Sequence, residues 1–191
     1  DAATHHGVYG TQGPAGNAYA TGAVTLTAAQ KTDIENVLSN YQVTFTDKLT
    51  INPKDLVLLT SGQRTYGDAN STIVYNDIAD KNGALTTADS ALLNSYQSNL
   101  KSAIGLDSAI TERSHAGTYG TNGTTASPVL TYTNTQKDAT SAQLNGDYNI
   151  TYEDLFTINK RDLAVTQTGT KTYGTGAEHT TYDPITLTNI T

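Results

Sequence analysis

Between residues 147 and 154 the chain reads Asp-Tyr-Asn-Ile-Thr-Tyr-Glu-Asp, with Tyr148, Ile150 and Tyr152 separated by single polar residues. A period of two puts those three side chains on one face of a strand and their neighbours on the other. The next stretch, 155–167 (LFTINKRDLAVTQ), also alternates and predicts a second strand. Residues 55–62 (DLVLLTSG) predict a strand closed by Gly62, and 71–78 (STIVYNDI) another after the turn Thr65-Tyr66-Gly67-Asp68. The period changes over 86–105, where Leu92, Leu93, Tyr96, Leu100 and Ile104 recur at helical spacing, Thr87 stands as N-cap and Gly105 as C-cap. Shorter helices are predicted around 136–145 and over 27–40, the latter with Ala29, Ile34, Val37 and Leu38 on its apolar side. Residues 116–133 predict a strand with a turn.

The pattern occurs twice. Residues 40–56 (NYQVTFTDKLTINPKDL) and 147–163 (DYNITYEDLFTINKRDL) match without a gap at an offset of 107, and the match runs on through Gly62/Gly169, Tyr66/Tyr173 and Gly67/Gly174. A weaker match, offset by 110, links 5–13 (HHGVYGTQG) with 114–123 (SHAGTYGTNG). A repeat of this length predicts three parts: 1–53 as the C-terminal part of one unit, 54–160 as a complete unit with a helical insertion near 86–105, and 161–191 as the N-terminal part of a third. The residues that define the repeat are Tyr41, Phe45, Ile51, Tyr66, Gly67, Tyr148, Tyr152, Ile158, Tyr173 and Gly174. Equivalent positions such as Tyr41 and Tyr148 are expected to occupy equivalent environments. Connectors as short as 52–54 (NPK) and 159–161 (NKR) leave little room for hinge motion, so successive units are expected to stack end to end.

Composition fits a strand-rich chain. Apolar residues make up 36% and charged residues 15%, and 35 threonines fill the difference. Threonine is β-branched and suits a pleated surface with one wet face. The expected class is therefore β-rich α+β, each unit a mainly antiparallel or mixed sheet with one or two short helices. A net charge of −7, with 11 scattered basic residues, argues against nucleic acid as a partner. Without cysteine there is no disulfide framework and no thiol nucleophile. With methionine missing too, the chain lacks easily oxidised sulfur, which suits an extracellular protein. No run of 18 apolar residues predicts insertion into a membrane, and no charged and apolar leader opens the sequence.

The stretch NYQVTFTDKLTINPKDLVLLTSGQRTYGDAN (40–70) resembles the "mostly β-grasp", or MBG, repeats of large bacterial surface adhesins of the haemagglutinin-like, two-partner secretion type. The resemblance rests on the Asn-Tyr-x-Val/Ile-Thr-Phe/Tyr strand, the LTIN or FTIN strand, and TYG after an Asp-Leu strand, at 40–67 and 147–174, with HAGTYG at 115–120. Residues 79–113 depart from it. It implies tandem β-grasp-like domains with a structural role on the bacterial cell surface, and supplies no catalytic residues.

Candidate chemistry is thin. His5 and His6 are adjacent and would face opposite ways on a regular strand, so His5, His6, His115 and His179 are expected to be surface histidines rather than metal ligands. Ser114–His115 places a hydroxyl beside a base with no acid partner singled out. Glu153–Asp154 is answered by Thr46–Asp47, so no carboxylate dyad recurs with the repeat. Asp55 and Asp162 each follow a basic residue, Lys54 and Arg161, which predicts surface ion pairs at a unit junction. Residues 68–80 (DANSTIVYNDIAD) carry many oxygens without the spacing of a calcium loop. Asn70, Asn122, Asn149 and Asn189 each begin an Asn-x-Ser/Thr triplet, with Asn149 expected in mid-strand. The Tyr-Gly pairs at 9, 66, 119 and 173 predict tight turns in which glycine takes positive φ and the tyrosine hydroxyl caps a backbone group.

No enzyme, cofactor or metal site is expected. The leading expectation is a structural spacer of an extracellular adhesin, whose partners are neighbouring repeat domains of the same protein. The alternative is a carbohydrate- or protein-binding module, its 12 tyrosines offering platforms for glycans, or one that assembles with other copies of itself head to tail by strand complementation.

Overall fold

The computed structural model describes residues 5–9, 26–42, 46–125, 127–177 and 180–188. Along the chain these form β1 (Gly7–Tyr9), α1 (Ala28–Val37), β2 (Leu49–Ile51), β3 (Lys54–Thr65), a 3₁₀ turn (Asn70–Thr72), β4 (Val74–Tyr75), β5 (Ala79–Asp80) and α2 (Thr87–Ser102). There follow β6 (Gly105–Leu106), β7 (Gly117–Tyr119), β8 (Leu130–Thr131), α3 (Asn134–Gln143), β9 (Tyr148–Asn159), β10 (Ala164–Thr166), β11 (Gly169–Thr170), β12 (Thr181–Tyr182) and β13 (Thr186–Thr188). The protein is a β-rich α+β fold with mostly antiparallel pairings, as its composition predicts. Among the described residues no helix is long and apolar enough to cross a membrane. Two compact units emerge, one drawn from Asp1–Leu58, Asp80–Gln97 and Thr133–Thr151, the other from Leu59–Ala79, Ser98–Tyr132 and Tyr152–Thr191.

In the first unit β1 and β2 pair antiparallel, Gly7 opposite Ile51 and Tyr9 opposite Leu49. The start of β3 lies beside the start of β9, with the Lys54 amide donating to the Asp147 carbonyl at 3.0 Å. Tyr9, Leu56, Leu58, Ala84, Leu93, Leu144 and Tyr148 are buried here. Both short helices open on the same capping box: Thr27 with Gln30 for α1, Thr133 with Gln136 for α3. The cap of α2 falls on Thr86, one residue before the predicted Thr87, because the Thr86 hydroxyl accepts from the Asp89 amide at 3.2 Å and donates to its carboxylate at 2.7 Å. After α3, Asn145 (φ 55°) and Gly146 (φ 70°) reverse the chain into β9.

In the second unit the strand order is β4-β3-β9-β7. β4 is antiparallel to β3, Gly62 facing Tyr75, and β7 is antiparallel to β9, Gly117 facing Ile158 and Tyr119 facing Phe156. The Tyr66 amide at the far end of β3 donates to the Asn159 carbonyl at 2.9 Å, the same separation of 93 residues as Lys54 and Asp147, so the central pair runs parallel. Ile110, Val129, Leu130, Phe156 and Ile158 form the core, with Tyr66, Ile73, Tyr75, Ile104, Leu106 and Tyr119 packed on it. β6 pairs with β8, and the last four strands pair among themselves, β10 with β13 and β11 with β12.

Two strands differ from expectation. The segments 147–154 and 155–167 are one strand as far as Asn159, because the inward phase never breaks: Tyr148, Ile150, Tyr152, Asp154, Phe156 and Ile158 all occupy even positions. A polar Asp154 in an otherwise apolar row looks like an interruption in sequence alone. The predicted strand 71–78 shrinks to Val74–Tyr75, since the 3₁₀ turn Asn70–Thr72 takes up its first residues.

Candidate functional site

The repeat recurs in backbone geometry down to single hydrogen bonds. Gly62 faces Tyr75, and 107 residues later Gly169 faces Tyr182. The Asn76 amide donates to Ser61 O at 3.0 Å, and the Asp183 amide to Thr168 O at 2.8 Å. Turns centred on Gly67 (φ 81°) and Gly174 (φ 85°) are closed by Asp68 N to Thr65 O and by Thr175 N to Thr172 O. At the other end Gly7 and Tyr9 face Ile51 and Leu49, as Gly117 and Tyr119 face their counterparts Ile158 and Phe156. The Tyr9 hydroxyl donates to the His5 carbonyl at 2.7 Å and that of Tyr119 to the His115 carbonyl at 2.6 Å. Of the four Tyr-Gly pairs, the expected capping by the tyrosine hydroxyl is thus found at Tyr9 and Tyr119, while the ring of Tyr173 is fully exposed.

Burial does not recur. Tyr148 is 8% exposed and donates from its hydroxyl to Asp89 Oδ2 at 2.6 Å, whereas Tyr41 is 73% exposed. The expected equivalence of these two environments fails. Tyr148 lies beneath a side chain of α2, through its bond to Asp89. Burial, reinforced by the hydrogen bond to Asp89, pushes the Tyr148 phenol up to about 12. Val37 of α1 is 83% exposed where its counterpart Leu144 is 1%. Leu163 and Val165 are exposed, but their counterparts Leu56 and Leu58 are completely buried. Tyr173 is fully exposed where Tyr66 is half-buried. Ile51 is half-buried and Ile158 buried. The Tyr152 ring lies 5.5 Å from that of Tyr132, tilted by 54°. Phe45 and His179 lie outside the described residues.

A buried carboxylate, weighed in the sequence only as half of a dyad, fixes this framework. Asp154 is buried, and its Oδ1 accepts from the Thr121 amide and hydroxyl at 2.9 and 3.0 Å. Its Oδ2 accepts from the Val129 and Leu130 amides, both at 2.8 Å. One carboxylate therefore ties β9 to the 120–130 loop and β8. The available signal was recurrence: Asp154 is answered by Asp47, while its neighbour Glu153 is answered by Thr46.

Two ion-pair expectations need correction. Arg161 pairs with Asp68 and not with Asp162, and its Nε donates to Tyr66 O at 2.8 Å. Lys54 donates to the carbonyl of Ala84 at 2.7 Å rather than to Asp55, whose Oδ1 accepts from Asn149 at 3.2 Å. Successive side chains of the extended β3 point to opposite faces, which keeps Lys54 and Asp55 apart.

The two adjacent histidines do converge, because residues 5–6 form a bend rather than a strand. His5 Nδ1 lies 2.5 Å from Asp147 Oδ2, His6 Nδ1 lies 3.0 Å from Oδ1, and the His6 amide donates to Oδ1 at 2.7 Å. Burial alone would raise the Asp147 carboxyl, but the bonds from the His5 ring and from the His6 amide and ring hold it below the usual carboxylate value. The imidazoles address a carboxylate, and among the described residues no three His, Cys, Asp or Glu side chains are arranged around a metal position.

The carboxylates of 68–80 disperse to separate partners: Asp68 to Arg161, Asp77 to Lys101 at 2.7 Å, Asp80 to the Leu85 amide at 2.9 Å. Ser114 Oγ accepts from the Thr111 amide at 2.9 Å. A shallow, open groove of about 710 Å³ runs along Leu106–Arg113 beside Asn70, whose amide donates to Ile110 O at 3.0 Å. Asn149 lies in β9, as expected. Comparison of the chain with family models, with curated proteins and with solved structures finds no match.

Proposed function

We propose that the chain is a structural spacer segment of an extracellular bacterial adhesin, built from tandem β-grasp-like units. The observation that carries this reading is the recurrence of strand register at an offset of 107, Gly62 with Tyr75 and Gly169 with Tyr182, in a chain whose first and last segments each repeat part of the middle one. A β-grasp arrangement sets the first and last strands of a unit side by side and parallel, with their antiparallel partners outside and a helix between the halves. The order β4-β3-β9-β7 with α2 in the intervening chain supports it. The unequal burial of Tyr41 and Tyr148 limits the recurrence to strand register and turns and does not extend it to packing.

The competing reading, a glycan binder, draws on the exposed rings of Tyr41, Tyr173 and Tyr182. Their counterparts Tyr148, Tyr66 and Tyr75 are buried or packed on the core. No exposed ring recurs at the equivalent position of the repeat, as a binding platform built into each unit would require, and the spacer reading is preferred. A glycan array probed with the whole chain tests it. A spacer binds no glycan above background, and saturable binding to a defined glycan series would replace it with the binder.

A further inference from the structure

We propose that the parallel pair of β3 and β9 is a mechanical clamp that holds against tension carried along the chain. The proposal rests on the spacer reading above and adds the property a spacer needs when the bodies it joins are pulled apart. The polypeptide enters the pair at Lys54, the first residue of β3, and leaves it at Asn159, the last residue of β9. Because the two strands run parallel, the point of entry and the point of exit lie at opposite ends of the pair. Tension along the chain therefore pulls β3 and β9 past each other lengthwise. The hydrogen bonds that cross from strand to strand are then loaded together, whereas peeling from one end would break them one at a time.

The bonds from Lys54 N to Asp147 O and from Tyr66 N to Asn159 O mark the two ends of this ladder. A side-chain rung reinforces each end, Asn149 to Asp55 at 3.2 Å and Asn159 to Gln63 at 3.3 Å. Past the exit, Arg161 donates from Nε to Tyr66 O at 2.8 Å, which ties the departing chain back to the end of β3. Peeling from that end must first break this staple. Sliding finds no nearby resting place either. A slip of one residue would turn the buried Leu56, Leu58, Phe156 and Ile158 to the wrong face. The next compatible register lies two residues away, a displacement of about 7 Å. Any such slide of β9 also drags Asp154 from the four groups that donate to its carboxylate.

The chain has no cysteine, so paired cysteines give unique handles for single-molecule pulling of the whole chain. Asn52→Cys with Lys160→Cys, both exposed and outside the strands, loads the pair in shear. Gln63→Cys with Lys160→Cys, also exposed, pulls on both strands near the same end and peels them. Adding Gln63→Ala to the first variant matches the rung lost in the second. At equal pulling speed the shear variant, with or without Gln63→Ala, is expected to hold to several-fold higher force than the peeling one. It should then release residues 53–160 in one step, roughly 30–35 nm of chain beyond the folded span. Equal forces in the two directions, or gradual extension of the shear variant without a single step, would overturn the proposal. The glycan array reads binding and is blind to the direction of force, so failure of the clamp and failure of the spacer reading remain distinguishable.

Discussion

Gly62 stands so close beneath Tyr75 that a Cβ on residue 62 would lie 2.8 Å from the ring's Cδ1. Tyr75 is packed on the core and Gly62 is buried, so neither side can give way freely. Gly62→Ala is expected to cost about 1–3 kcal/mol as overpacking. Gly169→Ala puts its Cβ 3.1 Å from both the Thr181 carbonyl oxygen and the ring of Tyr182; the ring is exposed and can swing out, which leaves only the carbonyl to shift slightly, so the cost should be smaller than at Gly62. Urea denaturation of the two variants checks the contrast. Equal destabilisation would mean that the two glycines sit in equally confined settings, contrary to the exposure of Tyr182.

Asp154 should be the least replaceable polar residue of the second unit. Each of its oxygens faces two donors, so Asp154→Asn turns an amide NH₂ toward N–H groups whichever way it is oriented. Asp154→Ala leaves the Val129 and Leu130 amides without an acceptor. Unsatisfied buried donors cost about 1–3 kcal/mol each. A loss of roughly 3 kcal/mol or more is expected for either variant, a fall in Tm of ~6–12 °C for a chain of this length. Calorimetry decides it, with Glu153→Gln as the control on the opposite face of the same strand. A Tm within ~2 °C of the parent would show that the carboxylate is dispensable.

That residue also marks how far the sequence could be read. Alternation locates β3 and β9 because Leu56, Leu58, Phe156 and Ile158 are apolar at every second position, but a buried carboxylate in the same row is indistinguishable from a strand end until its four donors are known. The α2 spacing identified Leu93 and Leu100 and passed over Gln97, a polar side chain buried on the same face. The helix over 27–40 was legible from its apolar spacing, yet that side stays largely uncovered: Ile34 is half-buried and Val37 and Leu38 are exposed. Periodicity records which face a segment could bury, and only the tertiary partner determines whether it does. The converging His5, His6 and Asp147 escaped notice because 141 residues or more separate the imidazoles from the carboxylate.

Alkaline titration should resolve the buried tyrosines from the rest. Burial raises the Tyr132 phenol to about 12, opposed by the hydrogen bond that Thr60 donates to it at 3.1 Å and aided by the neighbouring Tyr152 and Tyr75. Tyr148 reaches about 12 as well. A phenol with a raised value holds its proton more tightly in the fold than in the unfolded chain. Its stabilisation is therefore complete below about 10 and is lost as pH climbs through about 12. Absorbance near 295 nm should show at least two of the 12 tyrosines ionising late. Tyr132→Phe and Tyr148→Phe should each remove one late phenol, and a single transition for all tyrosines in the folded chain would contradict the burial of both rings.

Acid acts at the opposite end of the scale, through Asp147. Its carboxyl value is lowered in the fold, so the stabilisation it provides is present above the ordinary value of 3.8 and disappears as pH falls through the lowered one. What it holds is the bend at His5–His6, and through that bend the β1 strand paired with β2. Asp147→Asn keeps one acceptor and loses the charge that both imidazoles face, a loss of about 1–2 kcal/mol for hydrogen bonds to an ionised group. Hydrogen exchange at the β1 amides should accelerate roughly tenfold in that variant at neutral pH, the equivalent of about 1.4 kcal/mol. Protection factors in the parent should fall as pH is taken from 5 toward 2, while those of Asp147→Asn stay flat over the same range. His5→Ala should give an intermediate loss, because the His6 amide and ring still reach the carboxylate. Parent and Asp147→Asn curves that fall together would show that other carboxylates, not this one, carry the acid sensitivity of β1.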